Sequence, residues 1–211
     1  MKKSALVPLL WLLVACADTG RAPAQSEVYD FGLPTPPLLD SGPWSTLALE
    51  VKVPNWLDTT AVAYRLLYDD PLKWRSYAHS RWAASPSQLL GQRLRHRLAL
   101  VGNAGPGTGQ CVLRVELQMF SQIFVDPQSS RGELHGTAQL SDSQRRVVAE
   151  HRLTILRDAL SADARGGVSA LVATGDELTQ QLAEWLNDAE KRGSLNDCRM
   201  QAVSTQAVSS R

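Results

Sequence analysis

The sequence predicts an α/β protein: a mixed β-sheet of about five strands with two main helices packed on it, in a single domain. Three observations predict it. Several β-prone runs alternate in polarity, one internal helix carries a start signal and a leucine stripe, and a long segment near the C-terminus is amphipathic at helical period. Residues 28–31 read as a short strand, after which Gly32 and the prolines at 34, 36 and 37 exclude a central strand or a helix. In TLALEVKV, residues 46–53, Leu47, Leu49, Val51 and Val53 alternate with Ala48, Glu50 and Lys52, the period of a half-buried strand. Residues 61–68, AVAYRLLY, form the next strand, ended by Asp69, Asp70 and Pro71.

The clearest helix start follows. Ser85 can cap, Pro86 takes the first helical position, and Gln88 completes a capping box. Leu90, Leu94, Leu98 and Val101 then fall on one stripe, with Gly102 and Asn103 as the stop. Residues 111–125 are long and β-prone, with Val115, Leu117 and Met119 alternating with Arg114, Glu116 and Gln118. Residues 133–140 and 147–156 flank the polar turn 141–144 and read as a hairpin. The last element, residues 168–191, places Leu171, Leu178, Leu182 and Trp185 at helical spacing, a stripe to be buried on the sheet. From Gly193 the chain is polar and without period, and disorder is expected there.

Most reaction chemistry is excluded by what the 211 residues lack. There is no G-x-S-x-G, P-loop, H-E-x-x-H or C-x-x-C. The glycine-rich run at 102–109 follows a helix and lacks a Lys-Ser/Thr ending, so it reads as a linker and not as a phosphate cradle. His135 and His151 sit on the two arms of the hairpin, and matching of polar faces sets His135 against Glu150 or Arg152, a structural role for both histidines. Arg93, Arg95, His96 and Arg97 read as a solvated helix face in preference to a lipid-phosphate site. No nucleophile and base pair up, no cofactor motif appears, and no metal site is expected. The reading is therefore not an enzyme.

The N-terminus is more informative. Lys2 and Lys3 precede a run of roughly 13 apolar residues, short of the ~18 that span a bilayer, so this is a signal segment and not a membrane helix. It ends Leu13, Val14, Ala15, Cys16, the pattern of a bacterial lipobox. Cleavage after Ala15 would make Cys16 the acylated N-terminus, and several acyl chains make a stable anchor where one does not. The expected organisation is a signal peptide at 1–15, a small, polar tether at 16–26, a domain at 27–192 and a polar tail at 193–211. The formal charge of +1 becomes −1 when Lys2 and Lys3 leave, which gives no support for nucleic-acid binding. With Cys16 acylated, Cys111 and Cys198 remain, candidates for a disulfide in an oxidising compartment. Trp44, Trp56, Trp74 and Trp82, close to Tyr64, Tyr68 and Tyr77, either fill the core or anchor a partner.

VYDFGLP, and then LEVKVPNWLDTTAVAYRLLYDDPLKWRSYAHSRWAASPSQLLGQRLRHRL, resemble the ABC-type transport auxiliary lipoprotein family, which includes the paraquat-inducible lipoprotein. The specific pieces are Val53-Pro54-x-x-Leu57-Asp58, Tyr64-Arg65, and Trp82-Ala83 before the leucine-rich helix. The resemblance implies an α/β sandwich and a non-catalytic periplasmic lipoprotein acting beside an ABC permease and ATPase and an MCE-type protein in lipid traffic. Trp56, Leu57, Tyr64 and Trp82 are the candidate docking or core residues. Ala17 after Cys16, where an aspartate would favour the inner membrane, points to outer-membrane anchoring facing the periplasm. The alternative is a lipid-binding shuttle or chaperone, which needs a concave apolar pocket; self-association is left open.

Overall fold

The computed structural model describes residues 25–38, 43–101 and 111–195. Cys16, Cys198, and the run at 102–109 lie outside them. In chain order the described elements are β1 Glu27–Tyr29, β2 Ala48–Lys52, β3 Ala61–Leu66, β4 Asp70–Trp82, α1 Pro86–Arg97, β5 Val112–Phe124, β6 Ser130–Ser141, β7 Val147–Asp158 and α2 Ala164–Lys191, with one 3-10 turn at Pro43–Thr46. The strands form a single mixed sheet in the order β1-β4-β3-β5-β6-β7, and β2 joins it by pairing with β5. β5 is long enough to take two parallel partners on one edge: β2 along residues 112–116 and β3 along residues 122–124. The remaining long pairings, β3 with β4, β5 with β6 and β6 with β7, are antiparallel.

The architecture is the expected α/β layering, but with seven described strands and not about five. The strand missing from the sequence reading is β4. Asp69, Asp70 and Pro71 read as a terminator, yet Asp69 lies in the β3–β4 hairpin turn and Asp70 and Pro71 open β4, with Leu66 paired to Asp70. Pro71 is tolerated because it opens a strand with a largely free outer edge: β1 covers only Ser80 to Trp82. Most of β4 is exposed, so it has no alternation to recognise.

Both helices lie on one face of the sheet. Leu134, Ala138 and Leu140 of β6 and Leu153 and Ile155 of β7 are buried beneath the stripe Leu171, Leu178, Leu182 and Trp185 of α2. α1 packs on β2 and on α2. The other face is polar over β5–β7, with Arg114 donating to Glu50 at 2.9 Å and Gln139 to Glu150 at 2.9 Å. His135 is on this face, 3.0 Å from Glu133 and opposite Thr154, not Glu150 or Arg152. His151 pairs with Ala138 on the helix face and stacks on Trp185 at 5.7 Å. The β6–β7 turn sets this register, since Asp142 accepts the N–H groups of Gln144 and Arg146, and those bonds hold its carboxyl below the usual carboxylate range.

α1 begins where the sequence indicates, but its cap differs. The Ser85 side chain makes no capping hydrogen bond. Asp58 does the work across 29 residues: one carboxylate oxygen accepts from Ser87 N at 2.9 Å, the other from Ser87 Oγ at 2.7 Å. The VPNWLD stretch positions it, because the Pro54 carbonyl accepts from both Leu57 N and Asp58 N in a tight turn that buries Leu57. Removing this carboxylate, as in Asp58→Ala, is expected to cost about 1 kcal/mol, read from the denaturant midpoint; an unchanged midpoint would refute the cap. The helix also stops earlier than expected, at Leu98, with Ala99 in the left-handed region at φ 50° and Val101 exposed. α2 starts four residues before the expected position 168, where Asp163 caps by accepting from Gly166 N at 2.8 Å. Beyond it Leu195 is buried in the core, so the first residues of the polar tail belong to the fold and correct the expectation of disorder at that point.

A buried polar network lies beneath the start of α2. Gln122 is fully buried; its Oε1 accepts from Tyr77 OH at 2.9 Å, and its Nε2 donates to Ser130 Oγ at 2.7 Å and to the Asp163 carbonyl at 3.1 Å. Glycine at 167 lets the helix close over it, since a Cβ there would sit 1.9 Å from Gln122 Oε1 and displace the end of that side chain. Burial raises the Tyr77 phenol well above its ordinary value, with the neighbouring Tyr64 adding to the effect. An acid whose pKa is raised by folding keeps its proton in the folded state while the unfolded chain loses it. Stability is therefore expected to fall as pH rises above about 10, the unfolded tyrosine value. Tyr77→Phe should flatten that alkaline decline in urea titrations, and an unchanged slope would contradict the assignment.

Candidate functional site

The four residues singled out as docking or core candidates separate cleanly. Trp82 is 1 % exposed, in edge contact with Phe31 at 5.8 Å and tilted against Phe120 at 6.0 Å. Leu57 is buried as well. Tyr64 is half-buried, its ring 4.6 Å from Tyr77 and 5.8 Å from Phe124. Only Trp56 is a surface residue, at 54 % exposure.

Trp56 does not stand alone. Its ring meets Trp74 of β4 edge-on, with centroids 5.1 Å apart and an interplanar angle of 83°. The Arg65 guanidinium of β3 lies 5.4 Å from the Trp74 ring, while its Nη1 donates to the carbonyls of Pro71 at 3.1 Å and Leu72 at 3.2 Å. The loop after β2 and the β3–β4 hairpin thus build a rigid aromatic and cationic surface. Aromatic and arginine side chains held in place lose little entropy on binding, which suits them to anchor a partner. Trp74 was among the aromatics expected to fill the core or anchor a partner, whereas Arg65 was not expected at a docking surface. The signal was the β3–β4 hairpin, whose register sets Tyr64 beside Arg75 and hence Arg65 near residue 74.

A second feature is a cavity of about 710 Å³ between α1 and the proline-rich strap 30–38, walled by Phe31, Pro34, Pro37, Leu89, Leu100 and Val101. The basic cluster of α1 builds it. Arg93 Nη2 donates to the Phe31 carbonyl at 2.8 Å and its Nη1 to the Leu33 carbonyl at 3.4 Å; His96 Nε2 meets the Thr35 carbonyl at 2.9 Å, and Arg97 donates to the Pro36 carbonyl. Prolines leave the strap without N–H partners of its own, and these side chains take up its carbonyls. Arg93 is buried, with Nε 3.1 Å from Asp176 of α2. The cluster is consequently not a solvated face. Arg95 also borders the cavity, and it differs from its neighbours in that its side chain has no hydrogen-bond or ionic partner among the described residues. The lining also holds Gln92 and the Asp30 carboxylate, which accepts from Gly32 N at 2.8 Å, so the cavity combines apolar walls with both signs of charge and one uncommitted guanidinium.

Cys111 takes part in a disulfide, whereas Cys16 and Cys198 lie outside the described residues. Among the described residues no group of three or more His, Cys, Asp or Glu could hold a metal, and no helix is long and apolar enough to cross a membrane.

The fold defines the molecule as a two-layer α/β protein whose mixed sheet carries both helices on one face, with an exposed Trp56 resting on a partly buried Trp74 near its hairpin. Solved structures share this fold. A Xanthomonas campestris protein of the DUF330 family matches with a TM-score of 0.64 at 18% identity, covering 79% of this chain and 98% of the other. An uncharacterized protein matches with a TM-score of 0.59 at 17% identity, over 77% and 99% of the two chains. Neither the comparison with family models nor that with curated proteins finds a match.

Proposed function

We propose that the chain is a non-catalytic, lipid-anchored component of an ABC/MCE-type lipid transport system, a membrane-tethered adaptor between the transporter and the outer membrane, facing the periplasm. The observation that carries this reading is the exposed Trp56, braced by Trp74 and Arg65. The lipobox ending at Cys16 and the family resemblance support the tether and the setting. Tethering acts by effective concentration: a domain confined to one leaflet meets its partner far more often than a free one.

The test is binding of the mature chain, from Ala17 and without lipid, to the periplasmic region of an MCE-type protein encoded beside it. Saturable binding is expected, with Trp56→Ala weakening it about tenfold, as loss of an anchor residue does, while the circular dichroism spectrum is unchanged. Absence of saturable binding would overturn the adaptor.

A lipid-binding shuttle is the second reading, favoured by the cavity and its free Arg95. Its expected result is phospholipid or fatty acid retained on the purified protein in native mass spectra and lost in Arg95→Ala. A lipid-free spectrum would leave the adaptor as the sole reading.

A further inference from the structure

The turns at one end of the sheet carry an unusual number of uncovered apolar side chains. β3 and β5 run toward this end, while β4 and β6 start there, so the β3–β4 turn, the β5–β6 turn and the β7–α2 connection share it. They expose Leu67, Tyr68 and Leu72, then Val125, then Leu156 and Leu160, with Leu72 at 88 % and Leu160 at 95 % exposure. β4 and β7 are four strand spacings apart, so these side chains spread over roughly 19 Å. The opposite end exposes the smaller Val101, Val147 and Val148, and its β6–β7 turn is built around the ion pair of Asp142 with Arg146.

A second observation comes from the direction of the chain. β1 runs parallel to β4 with Glu27 beside Ser80, so the polypeptide before Glu27 arrives from the side of the leucine-bearing turns. Ser80 is ten residues from Asp70 along β4, roughly 33 Å at strand rise. Cys16 is eleven residues before Glu27, a reach of at most about 40 Å. The tether is just long enough to bring Cys16 level with the exposed leucines.

From these two observations we infer that this end of the sheet is the membrane-facing end, and that Leu67, Tyr68, Leu72, Val125, Leu156 and Leu160 rest in the interface of the bilayer that holds the acyl chains of Cys16. The inference rests on the lipoprotein reading above. Anchor and leucines act as two contacts with one surface, the acyl chains holding the protein at the bilayer and the turns setting its orientation. The sheet then stands upright, with the β6–β7 turn pointing away from the membrane.

The experiment uses the full acylated protein in vesicles of phosphatidylethanolamine and phosphatidylglycerol. Its intact mass is measured first, because an unacylated Cys16 overturns the lipoprotein reading and the inference with it. With acylation established, amide exchange of the vesicle-bound protein is compared with that of the unlipidated mature chain in solution. Peptides covering 66–73, 124–130 and 156–162 are expected to exchange about tenfold more slowly on vesicles, with 142–148 unchanged. The double variant Leu72→Ser, Leu160→Ser should stay vesicle-bound through Cys16 and lose the protection, as should deletion of residues 18–24, which leaves the tether too short. Acylated protein without protection at the turns, or protected at 142–148 instead, overturns the orientation alone. Equal protection in the lipid-free chain at the same concentration assigns the turns to self-association and overturns it too.

Discussion

Trp82→Ala is expected to cost about 3–5 kcal/mol of folding stability, the range for deleting a large aromatic from a packed core. Trp82 ends β4 where β1 pairs with it, and its ring meets both Phe31 and Phe120. These three rings join the strap, the sheet edge and β5, so the lost volume lies where separate segments meet and none can collapse alone. Against a typical total of about 5–15 kcal/mol, the variant should unfold at much lower urea and bind a partner poorly only through loss of folded protein. Trp56→Ala, by contrast, should keep its urea midpoint within about 0.5–1 kcal/mol of the parent, since its ring is half in water. Equal destabilisation of the two variants would show that Trp56 is a structural element and remove the basis for the docking surface.

Gln122→Leu is the second large effect, with an expected loss of about 2–4 kcal/mol. Leucine fills a similar volume, so the cost is polar. Tyr77 OH, Ser130 Oγ and the Asp163 carbonyl each lose a partner, Ser130 in the buried interior and the other two in partly buried bonds, and a buried polar group left unmade costs about 1–3 kcal/mol. Because the Asp163 carbonyl belongs to the N-cap residue of α2, amide exchange should rise first at the beginning of that helix. Gln122→Glu separates charge from shape: it keeps the size, loses the Nε2 donor, and should be at least as destabilising at neutral pH as leucine. A neutral outcome for Gln122→Leu would mean that the network is not a stabilising part of the fold.

The elements legible in the sequence are those whose two faces differ. β2, β5, β6 and β7 have one side under a helix and one open, and α2 has a single buried stripe, so each displays its period. β4 has no such contrast, because most of it is exposed along a sheet edge, and its first residues read as a terminator. The docking candidates divided for a related reason. Trp56, Tyr64 and Trp82 are alike in composition, and only the pairing of β4 with β3 and β1 decides which ring faces water.

The sequence by itself determined the mixed sheet with two helices, the positions of α1 and α2, the face of each strand in the hairpin of β6 and β7, and the lipobox at Cys16 as an expectation. Tertiary structure alone decided that Asp58, not Ser85, caps α1, that Arg93, His96 and Arg97 hold the proline-rich strap while Arg95 stays uncommitted, and that the exposed leucines of three separate turns share one end of the sheet. The physical reason is range. Period, caps and breakers act between residues a few positions apart, whereas a carboxylate 29 residues from the amide it caps, or a guanidinium 62 residues from its carbonyl, is brought into contact only by the folding of the whole sheet.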